Sequence, residues 1–349
     1  MKYYSHLTTA IQLLQAYKGE QPFGHYIKQY FNANKKYGSK DRKHISQLCY
    51  ACFRLGKALP ELSIEEKILH GTERLQHPAD IFPFRDELSA GIDHEAFCRS
   101  FLVQPDLFLR LRPGRERVVK TKLQAAGIPF EERTPSCLAL PNASRADAVV
   151  DMDKEAVIQD YSSQRVGELM PPAKHILDAC AASGGKSILA YDLLKPEQLT
   201  VSDIRKSIMA NLEKRFARAG IKNYRSIVTD LATSTAALHN KQFDLVIADV
   251  PCTGSGTWSR TPEQLYYFEG SEIERYSKLQ KKIVNNLIPH VKPGGYLLYV
   301  TCSVFRKENE EVVEFVKGKL ERMEVLKGYD LKADTMFAAL IASPAAYVY

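Results

Sequence analysis

The 349-residue chain has no stretch approaching the roughly 18 consecutive apolar residues that a membrane span requires. Its opening residues, MKYYSHLTTA, lack the basic, apolar and small-residue succession of a secretory signal. These two absences predict a cytoplasmic protein without a membrane partner. Cysteines are few, seven in all and scattered, which excludes a disulfide framework in a chain this long and leaves any cysteine that matters to act as a thiolate. Cys49 and Cys52 form a CxxC, but no second pair stands at metal-ligand spacing, so both are expected as core residues and no metal is expected. Internal repeats and low-complexity tracts are absent, which excludes solenoids and arrays.

Acidic residues are scarce at the N-terminal end. Residues 1–60 hold ten Lys or Arg against only Glu20 and Asp41, within a chain of net charge +7. A second basic run, Arg110, Arg112, Arg115, Arg117, Lys120 and Lys122, follows. Clusters of this kind neutralise phosphates and release counterions, and they point to a nucleic-acid partner. With 45% apolar and 26% charged residues the chain has what a folded protein needs, and its length suggests two or three domains.

Apolar residues recur at helical spacing at Leu7, Ala10, Ile11, Leu14 and Tyr17, and again from Ile45 to Leu55, predicting an α-helical unit over residues 1–100. Pro78, Pro83, Gly91 and Pro105 punctuate that pattern. A small α/β unit over 105–155 should follow, with strands at 107–112 and 137–140 and a helix over 115–126. From residue 156 to 349, HILDAC, LTVSDI, RSIVTD, FDLVIADV and YLLYVTC alternate with helical stretches at 186, 206–219 and 272–290. Alternation of strand and helix predicts a Rossmann-like parallel sheet with helices on both faces, and Pro293-Gly294-Gly295 reads as the turn before its last strand.

Ligands of such sheets bind beyond the carboxyl ends of the strands. The first end continues as Cys180, Ala181, Ala182, Ser183, Gly184, Gly185 and Lys186, small residues that let a ligand approach the backbone before a helix begins. The second ends at Asp203, where a carboxylate can accept from both hydroxyls of an adenosine ribose, with Arg205 beside it. The third ends at Asp230, placed to reach an adenine. A phosphate-binding GxxxxGK[ST] fails because position 180 is cysteine, and GxGxxG is missing. The fourth and fifth ends carry Cys252, after Asp249-Val250-Pro251, and Cys302, between Thr301 and Ser303. Two thiols at neighbouring strand ends suit methylation of cytosine carbon 5. A thiolate adding at carbon 6 makes the ring an enamine that attacks a methyl electrophile, and a second thiol can assist the later loss of the carbon-5 proton. Asp249 is placed to act at the ring nitrogen and Lys186 at the base carbonyl.

HILDACAASGGKS, DVPCTGSG and YVTCSVFRKENEEVV resemble the cofactor-turn, proline-cysteine and threonine-cysteine-serine motifs of the RsmB/Nop/Sun family of RNA (cytosine-5)-methyltransferases. VIQDYSSQRVGELM resembles that family's segment before the first sheet strand, so the likeness runs from about residue 105 nearly to the end. The resemblance implies an S-adenosyl-L-methionine-dependent enzyme with Cys302 as nucleophile and Cys252 promoting product release. Ser183 stands where family members usually have proline, and Asp334-Thr335-Met336-Phe337 stands where they commonly show Asp-Gly-Phe-Phe. SKDRKHISQLCYACFRLGKAL is similar to the NusB-like RNA-binding domain of the bacterial 16S rRNA members, and the 105–155 unit is taken as RRM-like. With the charge count, this favours ribosomal RNA as substrate; transfer RNA and a non-catalytic RNA-binding role on the same fold are the alternatives.

Overall fold

The computed structural model describes residues 2–343, except for the side chains of Lys2 and Tyr3. The last six residues assigned above to the Rossmann-like unit, and the side chain of Lys2 in the basic count, lie outside the described residues.

Helices α1 (Lys2–Ala16), α2 (Phe23–Ala33), α3 (Ser39–Phe53) and α4 (Ile64–Arg74) begin the chain. Local chemistry sets their starts. Ser63 accepts from the Glu66 amide while the Glu66 carboxylate accepts from the Ser63 amide, a reciprocal cap on α4. Leu7, Ala10, Leu14, Tyr17, Ile45, Leu48, Cys49, Cys52 and Phe53 are buried together, so both cysteines of the CxxC are core residues. After two single 3-10 turns comes α5 (His94–Ser100). The segment from 77 to 105 is not merely a linker. Phe82, Phe97 and Phe101 share one aromatic core with Trp258, Phe268 and Phe305 from the C-terminal half.

Strand β1 (Leu107–Leu111), helix α6 (Glu116–Ala125) and strands β2 (Glu131–Thr134), β3 (Cys137–Leu140) and β4 (Ala156–Ile158) build a four-stranded sheet in the order β2-β3-β1-β4. Two of these strands, β2 and β4, go beyond what the sequence pattern predicts. The strand β4, only three residues long, pairs antiparallel with Leu109–Leu111 and carries the small sheet past the expected limit at 155. The basic run here is also corrected. Arg110 and Arg112 both pair with the buried Asp192, at 2.7 and 2.6 Å, Lys120 with Glu132 at 2.6 Å and Lys122 with Glu155 at 2.8 Å. Arg110 is itself buried. These cations hold the small sheet to its neighbours, and only Arg115 and Arg117 of the run stand exposed.

After α7 (Tyr161–Arg165) the chain enters the large unit: β5 (His175–Asp178), α8 (Gly185–Leu194), β6 (Gln198–Asp203), α9 (Lys206–Ala219), β7 (Tyr224–Val228), β8 (Phe243–Asp249), α10 (Glu263–Tyr267), α11 (Ser271–Leu287), β9 (Val291–Thr301), α12 (Glu310–Phe315), β10 (Lys319–Leu326) and β11 (Met336–Ala342). The seven strands lie in the order β10-β11-β9-β8-β5-β6-β7. Strands β5 to β9 run parallel, whereas β10 and β11 are antiparallel to their neighbours. This is the expected Rossmann-like sheet. Helix α9 shows why it is covered: Met209, Leu212, Phe216 and Ala219 face the core, and Gly220 ends the helix at a φ of 75° that suits glycine.

Three details differ from the sequence-based expectation. Pro293-Gly294-Gly295 is a bulge inside β9, whose partners shift from Val291↔Phe243 to Tyr296↔Leu245, with Gly294 at a φ of 73°. Helix α11 stops at Leu287 and the chain makes a 3-10 turn over Ile288–His290, because Pro289 has no amide hydrogen to donate. The departure at Asp334–Phe337 leaves the closing strand regular: Phe337 to Ala342 pair with Thr301 to Tyr296. Among the described residues no helix is long and apolar enough to cross a membrane.

Candidate active site

Strand order reverses between β5, which runs on to β6 and β7, and β8, which runs on to β9. A crevice opens at that switch point, outside the carboxyl ends. Its volume is about 520 Å³, and its lining includes Cys180, Ala182, Asp203, Arg205, Asp230, Asp249, Cys252 and Cys302. The remaining expected residues, Ala181, Ser183, Gly184, Gly185 and Lys186, form the turn and first helical residues behind that wall rather than the wall itself.

The turn is held in a shape that few residues adopt. Ala182 has a φ of 43° and Gly184 of 85°, and a Cβ on Gly184 would lie 3.0 Å from both Leu212 and Phe216. The Ala182 amide donates to Asp203 at 3.0 Å. Ser183, in place of the family's proline, accepts from the Arg215 guanidinium at its carbonyl (2.8 Å) and hydroxyl (3.1 Å), and Arg215 is anchored in turn by Asp153. A proline ring offers no such hydroxyl.

Asp203 is buried and accepts from the Arg205 amide and guanidinium, each at 2.9 Å. Burial alone would push its carboxyl up, but these bonds hold it below the usual carboxylate range. Asp230 accepts from the Ala232 amide at 2.9 Å. Between them the crevice is apolar, with Ile204, Leu231, Ala232 and Ile283 in its wall. Exposed Ile204 and buried Leu231 do not stand out in the sequence. Ile204 follows Asp203 at the end of β6, and Leu231 follows Asp230, which lies two residues beyond the end of β7 at Val228 rather than at the expected strand end. A neighbouring acid is the signal that would have found each.

Across the crevice the sulfurs of Cys252 and Cys302 are 3.4 Å apart. Gly256 lets their two loops meet: its amide donates to the Cys302 carbonyl at 2.9 Å, and a Cβ there would lie 1.9 Å from the Thr335 carbonyl oxygen. The hydrogen bond to Cys302 and then burial push the Cys252 thiol well above the ordinary range. Lys186 donates to Asp249 at 2.7 Å. Burial would lower the Lys186 ammonium, yet Asp249, with smaller contributions from Cys302 and Asp178, outweighs it and keeps the charge. Asp178 is fully buried; burial pushes its carboxyl up to about 7, with Ser187 donating to one oxygen at 2.6 Å and the other unpartnered.

The description "16S rRNA methyltransferase RsmB/F" matches residues 169–336. Over these residues, just under half of the chain, the sequence is similar to the RsmB/Nop/Sun family. Ribosomal RNA small subunit methyltransferase B of Xylella fastidiosa is 32% identical over 235 residues, covering 64% of this chain and 53% of that protein. The probable ribosomal RNA small subunit methyltransferase B of Bacillus subtilis is 30% identical over 227 residues, covering 63% and 51%. The chain thus spans about half the length of the curated relatives it matches. Among solved structures, PH0851 shares the fold across 95% of this chain and 96% of its own, with a TM-score of 0.75 and 20% identity. NSun6 from Pyrococcus horikoshii, solved with SFG, covers 72% of this chain and 94% of its own, with a TM-score of 0.61 and 16% identity. In the family's terms, the cofactor-turn, proline-cysteine and threonine-cysteine-serine motifs converge on one crevice in this chain.

Proposed function

We propose that this protein transfers a methyl group from S-adenosyl-L-methionine to carbon 5 of a cytosine in ribosomal RNA of the small subunit. The observation that carries the reading is the pair of sulfurs 3.4 Å apart in the lining of a crevice that also bears Asp203 and Asp230. The chain's residues fit the cofactor. The crevice lies within the usual range for small-molecule sites, Cys180 and Ala182 of the close-approach turn line it, and Asp203 and Asp230 share it with apolar residues. Asp203 would accept from the ribose hydroxyls as exposed Arg205 swings away, Asp230 would accept from the adenine amino group, and Ile204 and Leu231 would flank the ring. Bound there, the cofactor supplies an electrophilic methyl group.

Cys302 adds to carbon 6 as a thiolate, while Asp249 and Lys186 hold the ring nitrogen and carbonyl. The enamine's carbon 5 then takes the methyl. Loss of the carbon-5 proton restores the double bond and expels Cys302 as a thiolate. Cys252 suits that last step. Its sulfur stands 3.4 Å from that of Cys302, beside the base that Cys302 would hold.

The relatives' names carry ribosomal RNA, and the N-terminal charge agrees with it. We take residues 1–100 as a NusB-like RNA-binding unit and the small sheet as RRM-like. Lys28, Lys35, Lys40 and Lys43 are exposed on or beside the N-terminal helices, whereas Arg54 is spent on the carbonyls of Phe101, Val103 and Ser259. Changing these four lysines to glutamine should weaken RNA binding across sequences. The slope of log affinity against log salt should become shallower by about 0.7 to 0.9 for each phosphate that is no longer neutralised, and an unchanged slope would move the RNA surface elsewhere.

Asp203→Ala should weaken cofactor affinity about thirtyfold, on the order of 2 kcal/mol, because ribose hydroxyls lose a buried acceptor. Calorimetry that finds the affinity unchanged would remove Asp203 from the site. The activity itself is tested with methyl-labelled cofactor and small-subunit RNA, followed by nuclease digestion. Label in 5-methylcytidine supports the reading; label taken only by transfer RNA, or cofactor binding without transfer to any RNA, contradicts it.

A further inference from the structure

The segment after Cys302 contains three consecutive polar residues, Glu308, Asn309 and Glu310, of types that are ordinarily solvated. Glu308 and Asn309 are instead fully buried. Asn309 accepts from the Thr301 hydroxyl at 2.6 Å and donates to the carbonyl of Ser303 at 2.9 Å and the hydroxyl of Ser89 at 2.8 Å. Glu310 accepts from the Ser89 hydroxyl and the Ala90 amide. Glu308 does something different: it bridges the two cysteine loops. One of its oxygens accepts from the hydroxyls of Thr253 and Ser303, each at 2.6 Å; the other accepts from the Thr253 amide and the Gln280 side chain, each at 2.9 Å. Thr253 follows Cys252 and Ser303 follows Cys302.

We infer that Glu308 is a positioning residue that sets the separation of Cys252 from Cys302, so that the second thiol stands where the release step needs it. The inference rests on the proposed cytosine chemistry for its consequence, but the geometry it invokes exists without RNA. Cys302 is carried at the end of a strand in the middle of the sheet, which is fixed by pairing on both sides. Cys252 lies in the loop beyond β8, and Glu308 meets that loop at the Thr253 amide and hydroxyl. Removing the carboxylate deletes four hydrogen bonds, of which two restrain the Cys252 loop directly. Addition and methyl transfer need Cys302; release also needs Cys252. Loss of Glu308 therefore weighs on the second half of the cycle.

The role is one of geometry, and the conservative variant tells it apart from proton transfer. In Glu308→Gln the side-chain oxygen can accept from the Thr253 amide and Gln280, while its amide donates to the two hydroxyls, which rotate to accept. Full-length wild type, Glu308→Ala and Glu308→Gln are compared with small-subunit RNA and labelled cofactor. Glu308→Ala should bind cofactor normally and complete a first methyl transfer. Its steady-state turnover should fall by about thirtyfold or more as a denaturant-resistant protein–RNA band accumulates with both cysteines present. Glu308→Gln should abolish the band and restore turnover. Three results overturn the inference: Glu308→Ala turns over like wild type, it loses cofactor affinity and band formation together, or Glu308→Gln behaves like Glu308→Ala. Phenylarsine oxide, which bridges neighbouring thiols, provides the arm without RNA. Wild type and Glu308→Gln should bind it through Cys252 and Cys302, and Glu308→Ala should bind at least about tenfold more weakly; equal binding by all three contradicts the positioning role. A wild type that methylates no RNA overturns the proposed function, and the arsenical then still decides the role of Glu308.

Discussion

Cys302→Ala is expected to bind cofactor and RNA as wild type does and to transfer no methyl group at all. Carbon 5 of cytosine is not nucleophilic until carbon 6 carries a sulfur, and no other thiol in the crevice can take over. Burial pushes the Cys180 thiol far up, and Cys252, which loses its contact with Cys302 in this variant, is still raised by its burial. The mutation removes one sulfur at a half-buried site on the margin of the core, so the fold should persist. The measurement is label incorporation into RNA over hours, with cofactor affinity measured in parallel. Residual transfer within about a hundredfold of wild type would mean that another group opens the ring.

The second large effect concerns Lys186 and Asp249, which act as one unit. Their side chains meet at 2.7 Å, and Lys186 is only 12% exposed, so the ammonium lies in a poorly solvated place. Lys186→Met keeps the length of the stem and deletes the charge. It leaves Asp249 without its partner and the developing negative charge on the pyrimidine without a donor. We expect the turnover number to fall by on the order of 10² to 10³, with cofactor affinity changed far less. A double-mutant cycle with Asp249→Asn should be strongly non-additive, because either single change already breaks the pair. Additive losses would show that the two residues serve separate functions.

Which parts of this site could be read from the sequence follows from the physics of each part. Strand ends in an alternating α/β pattern are readable because burial on both faces makes each strand a short apolar run that stops abruptly at Asp178, Asp203, Asp249 or Thr301. The position of the crevice then follows from the fold class. Partners of charged residues are not readable in that way. Arg110 and Arg112 have the pattern of a phosphate-binding surface, yet both are turned to Asp192, some eighty positions further on. Glu308 is hidden for the same reason: acidic residues at a helix start are ordinarily solvated, and only the meeting of two distant loops makes this one a bridge. Strand β4 escapes because three residues carry too little periodicity to distinguish a strand from a loop. The Pro293-Gly294-Gly295 bulge escapes because a turn and a bulge have the same composition.

The family resemblance adds what the residues alone leave open, namely which thiol attacks. The structure brings the two sulfurs within 3.4 Å of each other, close enough for both to act on a single base. If this order is right, the two cysteines have opposite signatures when removed. Without Cys302 nothing attaches to RNA. Without Cys252 the adduct forms and the methyl group is delivered, but the carbon-5 proton has no nearby thiol to assist its removal.

The most direct measurement therefore incubates Cys252→Ala, Cys302→Ala and the double variant with small-subunit RNA and cofactor, then resolves the products under denaturing conditions. The account predicts a protein–RNA band in Cys252→Ala alone; a band that persists in the double variant, or one that appears only in Cys302→Ala, contradicts it.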